Sequence, residues 1–475
     1  MIFITLDFAL FFSIFFILYW FIFHKNIKIQ NILILIASYI FYGWWDWRFL
    51  ILIFISSLVD YLVGRLLMKE DREINRKILL WVSIGTNLGI LGFFKYFNFF
   101  LDSFKSAYGL FNATAEFSTL DIILPVGISF YTLQTLSYTI DIYDKKIKAT
   151  NDIVSFFAFV SFFPQLVAGP IERASKLLPQ FKKKRIFNYE QAADGMRQVL
   201  WGLFKKMVIA DNCAKYVNIG FSDYESLDGS TLFLTLVIAC FQFYCDFSGY
   251  TDIAIGTART LGFKLSKNFD YPFFSRNVSE FWQKWHISLI SWIRDYVLRR
   301  LKGFSKIKLY RNIFIVFILT GFWHGANWTF IFWGFLHALT FIPLVFWKRT
   351  KYKYTIAHNK FFPSIKESFL MLKTFLIFAL VGVFFRIDTV LDGFKYLGKI
   401  FSISLFSMPM LPGKSVFIGI VFLLLVEWMQ RNKEHGLSLE GLKISPIIRW
   451  SFYISIVFII ILFGGSSNDF IYFQF

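Results

Sequence analysis

Two of the chain's six histidines lie in the stretch LTGFWHGANWTFIFWGFLHA, Leu319 to Ala338. They are His324 and His337, and the polar Asn327 sits between them in otherwise apolar sequence. A third, His286, lies in FWQKWHISL. Imidazole is the side chain best suited to general base work near neutral pH, because its ordinary pKa is about 6.5. Acyl transfer to a hydroxyl needs such a base to take the hydroxyl proton as oxygen attacks the acyl carbonyl. A dry surrounding would limit hydrolysis of the donor. The alternative reading of His324 is a hydrogen bond between helices, and that of His286 is an interfacial residue anchored between Trp282 and Trp285. The neighbours of His324 favour the base: Gly321 and Gly325 leave space on either side of Trp323 and His324, and Asn327 and Trp328 are placed to orient a ligand or simply to pack. His337 follows His324 by 13 positions. In an unbroken helix that is about 20 Å, too far to share one reaction centre, so His337 reads as structural.

Two carboxylates, Asp246 and Asp252, fall inside the apolar sequence FYCDFSGYTDIAIG, where an acid is costly and is paired or functional. Nucleotide-binding loops and zinc-protease motifs do not occur, and no metal-ligand spacing is found. A haem-type reading of paired histidines has only residue type behind it. Cys213, Cys240 and Cys245 lie in or beside apolar segments, without zinc or disulfide spacing, and read as packing residues.

The elements that must position these groups are membrane helices. Of the 475 residues 56% are hydrophobic and 17% charged, and Phe alone occurs 65 times. A soluble domain carries about 25% charged residues. Apolar runs such as Ile2–Phe23, Ile78–Phe100, Leu370–Phe385, Val416–Trp428 and Phe452–Phe463 approach the roughly 20 residues that span a bilayer. The sequence predicts an all-α polytopic membrane protein, a single membrane-embedded domain over residues 1–475, with about 11 to 13 membrane elements. Ile2–Phe23 lacks a basic leader and a small-residue cleavage site, so it is expected to stay as the first membrane helix. The formal charge of +19 fits Lys and Arg in cytoplasmic loops facing anionic lipid headgroups, and no nucleic-acid motif accompanies it.

The basic loop HKNIK puts its side of the membrane inside and the N-terminus outside. YGWWDWRF, Tyr42–Phe49, reads as an outer interfacial turn, and residues 104–119 as a short outer segment. In IVSFFAFVSFFPQLVAGPIER, Pro164, Gly169 and Pro170 interrupt a run too short to cross, and the basic loop FKKKR follows. A re-entrant, protein-buried element at Phe162–Pro170 accounts for both. Gln198–Tyr216 carries Lys205, Lys206 and Asp211, and reads as a poor span or one lining a polar interior. Over Arg276–Arg300, Val278, Phe281, Trp285, Leu289, Trp292 and Tyr296 share one face at helical spacing. Glu280 and Lys284 form an i,i+4 pair, and the region predicts a helix lying in the membrane interface. The positive loop Arg299–Arg311 then leads into the histidine stretch.

Four stretches resemble the membrane-bound O-acyltransferase family, in its bacterial branch of alginate O-acetylation membrane subunits: Ser161–Arg173, Gln242–Gly256, Asn268–Tyr296 and Thr320–Ala338. The terminal FIYFQF, Phe470–Phe475, is also similar to the family's ending. The resemblance implies a ring of tilted transmembrane helices with re-entrant elements. It implies a central tunnel that brings a cytoplasmic acyl donor, acetyl-CoA or another acyl thioester, to an extracytoplasmic acceptor. It makes His324 the catalytic residue and His286 the second functional histidine. Asp246, Tyr250, Trp285, Trp323 and Asn327 become candidates to line the donor or substrate path. No bound cofactor and no metal are expected. The implied function is O-acetylation of an exported or cell-surface polysaccharide at the bacterial inner membrane. The expected partner is a secreted or membrane-anchored esterase-like acetyltransferase. D-alanyl transfer to teichoic acid and a transporter or flippase are the alternatives. The sequence departs from the family after Tyr296, where VLRRLKGFSKIKLYRN replaces a stretch ending in Pro-Leu-Gly-Gly.

Overall fold

The structure, a computed structural model, describes residues 1–109, 119–301, 305–350, 352, 354–442, 444–465 and 470–473. Part of the expected outer segment 104–119, the core of the divergent stretch after Tyr296 and the last two residues lie outside them. The described secondary structure is helical throughout. Among the described residues six stretches are long and apolar enough to cross a membrane: Ile27–Lys69, Glu73–Gly109, Gly229–Thr260, Trp328–Phe346, Ile365–Phe385 and Pro446–Phe463. Leu6–Ile22 and Ile153–Leu166 are apolar but shorter. The protein is a multi-pass membrane protein. By contact density the chain forms two compact units, one of Met1–Gly195 with Ala254–Ser266, the other of Met196–Ile253 with Lys267–Phe475.

In the first unit, Asn26 caps the helix Ile27–Asp46 by accepting from the Lys28 and Ile29 amides at 2.9 and 3.2 Å. That helix ends at the tryptophan-rich turn. Asp46 accepts from the Arg48 amide at 2.9 Å, and Trp44, Trp45 and Trp47 are all exposed on the protein surface. The helices Leu50–Lys69, Glu73–Leu91 and Ile128–Tyr143 enclose a buried polar network on Asp60, formed by Ser83, Asn87 and Thr139. The expected break is present. The helix Ile153–Ser161 stops at Phe162, and a single turn, Phe163–Leu166, follows. Side chains take up the backbone groups that the break releases. Ser38 Oγ accepts from the Phe163 amide at 3.1 Å, and Gln165 donates to the Pro170 carbonyl at 2.9 Å. All of Phe162–Pro170 except the half-buried Val167 is buried in protein, which is the condition for irregular backbone in such a molecule.

In the second unit, the expectation of one amphipathic helix over Arg276–Arg300 is corrected. The chain makes two helices, Val278–Lys284 and Ile287–Tyr296, separated by Trp285 and by His286 in the left-handed region at φ 44°, ψ 50°. The six apolar residues are all buried, Val278 and Phe281 on the first helix, Trp285 at the bend, and Leu289, Trp292 and Tyr296 on the second. Periodicity cannot register one residue in a left-handed conformation when neither Gly nor Pro marks it. The ion pair of Glu280 with Lys284 is present at 3.5 Å, and Arg276 joins it at 3.0 Å.

The histidine stretch is also broken. The helix Lys306–His324 ends at His324, and Trp328–Phe346 packs back along it. The space expected beside Gly321 is instead a close helix–helix contact. A methyl group there would overlap the Phe330 carbonyl, and one at Gly334 would overlap the Phe317 carbonyl. A methyl at Gly325 would strike the Phe330 ring.

Candidate active site

His324 is the last residue of its helix and is 2% exposed. Rings surround it: Trp323 at 5.1 Å between centroids, Phe385 at 5.1 Å and Trp333 at 5.3 Å. His286 stands 6.4 Å from it, so two residues 38 positions apart in sequence meet in one aromatic enclosure. Trp323 bridges them, with its ring 5.7 Å from His286. Phe247 closes the other side of His286 at 4.7 Å, edge-on.

The bend at His286 makes the meeting possible. The Ile287 amide donates to the Asn268 carbonyl at 2.9 Å, and the Ile290 amide donates back to His286 to start the next helix. Asn268 Oδ1 lies 3.1 Å from His286 Nδ1. A non-glycine residue at positive φ costs about 1–3 kcal/mol, and such strain persists only where its surroundings hold it.

The third partner was missed in the sequence. Tyr472 Oη lies 3.2 Å from His324 Nδ1, and its ring is 4.5 Å from Phe247. Tyr472 sits in the terminal turn Ile471–Phe473, whose place is set by charge. Asp246 Oδ2 accepts from the Ile471 amide at 2.8 Å. The other Asp246 oxygen pairs with Lys206 at 2.7 Å, and Lys206 pairs with Asp211 at 2.8 Å. The wide helical turn Phe204–Ala210 carries both Lys205 and Lys206 into the interior, so Gln198–Tyr216 does line a polar interior. Lys205 takes Asp252 at 2.6 Å and Ser248 at 2.9 Å. Buried ions are retained when each is paired.

The remaining candidates divide clearly. Trp323 is in the enclosure. Asp246 and Tyr250 hold the terminal turn, Tyr250 by ring contact with Phe470 at 4.5 Å. Trp285 forms the floor beside the site, stacked on Phe281 at 5.4 Å and on Phe243 at 5.6 Å. Asn327 caps the helix Trp328–Phe346. Its Oδ1 accepts from the Thr329 amide at 3.0 Å, and its Nδ2 donates to the Asp388 carbonyl at 3.0 Å. Because the stretch folds back, the separation of about 20 Å expected for His337 in a straight helix does not apply. His337 is one ring removed from His324, packing on Trp333 at 4.6 Å and on Trp282 at 4.9 Å. The three cysteines are buried and unpaired, as expected. Among the described residues no cluster of His, Cys, Asp or Glu could hold a metal ion.

Outside the spans, the charge network beside the bend is electrostatically tuned. Burial by itself would raise the Glu280 carboxyl, but Arg276 and Lys284 outweigh it and hold it below the usual carboxylate range.

Residues 145–385, which include His286 and His324, match the model of the membrane-bound O-acyltransferase family. The chain is 36% identical over 402 residues to the peptidoglycan O-acetyltransferase of Helicobacter pylori, covering 78% of this chain and 74% of that protein. It is 39% identical over 316 residues to the probable alginate O-acetylase AlgI of Pseudomonas aeruginosa, covering 66% of this chain and 60% of that one. A teichoic acid D-alanyltransferase of Bacillus subtilis is more distant, at 29% over 249 residues, 49% of this chain and 62% of that protein.

Proposed function

The chain belongs to the membrane-bound O-acyltransferase family, and from that premise we propose that it transfers acetyl groups for the O-acetylation of an exported or cell-surface polysaccharide. The observation that carries the reading is the meeting of His286 and His324 in a buried aromatic enclosure. The donor is an acyl thioester, acetyl-CoA or a close equivalent, reached from the cytoplasmic side of the bacterial inner membrane. The N-terminus lies on the opposite, extracytoplasmic side. His324 is the general base. It takes the proton of the attacking hydroxyl as the oxygen bonds to the thioester carbonyl. The tetrahedral intermediate then collapses, the carbon–sulfur bond breaks, and the imidazolium returns the proton to the leaving thiolate. The aromatic walls keep water from the donor. His286 is the second functional histidine, and Tyr472 orients His324. An esterase-like acetyltransferase outside the membrane completes delivery to the polymer.

Deleting the gene and measuring ester-linked acetate on the envelope polymers tests the reading. Loss of acetate from one polymer supports it, and unchanged acetate on all of them overturns it. The teichoic acid relatives favour one second reading, D-alanyl transfer, in which the exposed Lys182, Lys183 and Lys184 would attract an acidic carrier. Ester-linked D-alanine falling while acetate holds would select it. A transporter without covalent chemistry would leave acyl thioester turnover by the purified protein at zero.

A further inference from the structure

Asn268, whose carbonyl helps to hold the strained bend, also buries its whole side chain beside it. Its Oδ1 is the meeting point of three donors or potential donors. They are the Ser288 amide at 3.2 Å, the Ser288 hydroxyl at 2.8 Å and His286 Nδ1 at 3.1 Å. The Ser288 backbone N–H can only donate, so the Asn268 atom facing it is the oxygen and not the amide nitrogen. An amide oxygen can only accept. His286 Nδ1 therefore carries a hydrogen, and in the neutral ring Nε2 carries the lone pair. The two ring nitrogens diverge, so Nε2 is presented away from Asn268. Titratable rings among the described residues that face His286 include His324 at 6.4 Å and Tyr472 at 6.5 Å.

We propose that Asn268 is a positioning residue for the acyl transfer, locking His286 in the Nδ1–H tautomer so that Nε2 serves the reaction centre as a hydrogen-bond acceptor. The proposal rests on the acetyl-transfer reading for its kinetic consequence, but not for the tautomer itself. Neutral imidazole free of a fixed partner exchanges its proton between both nitrogens. Each molecule in the wrong tautomer would offer an N–H where the chemistry needs a lone pair. The anchoring of Oδ1 by Ser288 keeps the asparagine from turning its amide nitrogen toward the ring. Asn268 Nδ2 has no hydrogen-bond partner among the described residues, so an aspartate can take the same place without breaking a bond on that side.

The test uses the full chain in nanodiscs, with acetyl-CoA as the donor probe and thiol release as the readout over pH 5–9. Asn268→Leu removes the acceptor, and transfer per inserted protein should fall at least ~10-fold at every pH, part of the usual worth of a placed acid–base group. Asn268→Asp keeps an acceptor on Nδ1 and adds charge that stabilises the imidazolium. Its rate at alkaline pH should stay near wild type, while the acid limb of the profile moves up by about one pH unit. A residue that merely packs would lower both variants with the amount of folded protein and move neither limb. An unshifted limb in Asn268→Asp, or full activity in Asn268→Leu, overturns the proposal. The second measurement needs no variant. With 15N-histidine label, His286 in the wild-type protein should show a protonated Nδ1 and an unprotonated Nε2, and the opposite pattern overturns the assignment. A wild-type protein that releases no thiol from acetyl-CoA counts against the donor reading alone, since the spectrum still decides the tautomer.

Discussion

Asp60 and His324 are both buried polar groups in apolar helices, and the two regions use polarity in opposite ways. Asp60 is sealed by hydrogen bonds. Thr139 donates to one oxygen at 2.8 Å and Asn87 to the other at 2.8 Å, Ser83 adds a third bond, and Ser56 in turn donates to Asn87 at 2.6 Å. Such a network ties the helices Leu50–Lys69, Glu73–Leu91 and Ile128–Tyr143 together. The imidazole of His324 meets ring faces and edges, and the Tyr472 hydroxyl lies against its Nδ1. A saturated polar group resists change, whereas an imidazole walled by rings keeps its proton chemistry for a substrate. Burial alone does not separate the two kinds; the chemistry of the groups packed around each one does.

The comparison breaks first at His324. Replacement by Gln keeps one hydrogen-bonding group but cannot take a proton at neutral pH. Transfer per inserted protein should fall at least ~100-fold, and Ala should match it, if what is lost is the proposed base. Near-normal turnover by His324→Gln would mean that the histidine only holds helices together. Failure of both variants to insert would say the same.

Asp60→Leu should do the reverse. Ser83, Thr139 and Asn87 would lose their acceptor, and stranded buried donors cost about 1–3 kcal/mol each before relaxation. Thermal unfolding in detergent should occur well below the wild-type midpoint, while turnover per folded molecule stays within about twofold, since the substitution leaves the base untouched. An unchanged midpoint with lost turnover would make Asp60 part of the chemistry and erase the contrast.

Much of the candidate site was legible because its chemistry is local in sequence. The histidine stretches, the broken element at Phe162 and the Glu280–Lys284 pair each declare themselves within a few residues. What escaped is long-range. Tyr472 lies 148 positions from His324, and nothing in an apolar ending says which ring its hydroxyl will meet. Only the quoted likeness of that ending to the family's pointed there. Asp246 was visible as a costly intramembrane acid, but its partner Lys206 and the Ile471 amide come from other parts of the chain. The glycines of the histidine stretch were read as space because a sequence does not show the neighbouring helix that fills it.

Asp246 stands between the two, an ion-paired group that also anchors the turn carrying Tyr472. Asp246→Leu leaves Lys206 still paired with Asp211 but releases the Ile471 amide, so Tyr472 loses its anchor. A displacement of about 1 Å at a catalytic group can cost up to ~100-fold, and a loss of about 10-fold is expected here, with smaller loss of inserted protein. If turnover falls only in proportion to inserted protein, the ion cluster belongs with Asp60 as pure structure.

The smallest expected effect is at Glu280, whose network with Arg276 and Lys284 flanks the His286 bend without touching the ring. Its carboxyl is held below the usual range in the folded protein, so the folded state favours the ionised form. The sign follows from linkage. The contribution is fully present above the unfolded pKa of about 4.3 and is lost as pH falls through the lower folded value. Glu280→Gln keeps an acceptor for the Arg276 amide, and Arg276 retains Glu367 at 3.4 Å and the Tyr354 carbonyl at 2.8 Å. The cost at neutral pH should therefore be about 1 kcal/mol, the worth of one hydrogen-bonded interaction. Melting midpoints of wild type and Glu280→Gln should differ by a few degrees at pH 7 and converge as the pH is lowered below about 4. Turnover at pH 7 should stay within about twofold, because the bend is also held by Asn268 and the Ile287 amide. A large loss of turnover with an unchanged midpoint would move Glu280 from the frame of the site into its chemistry.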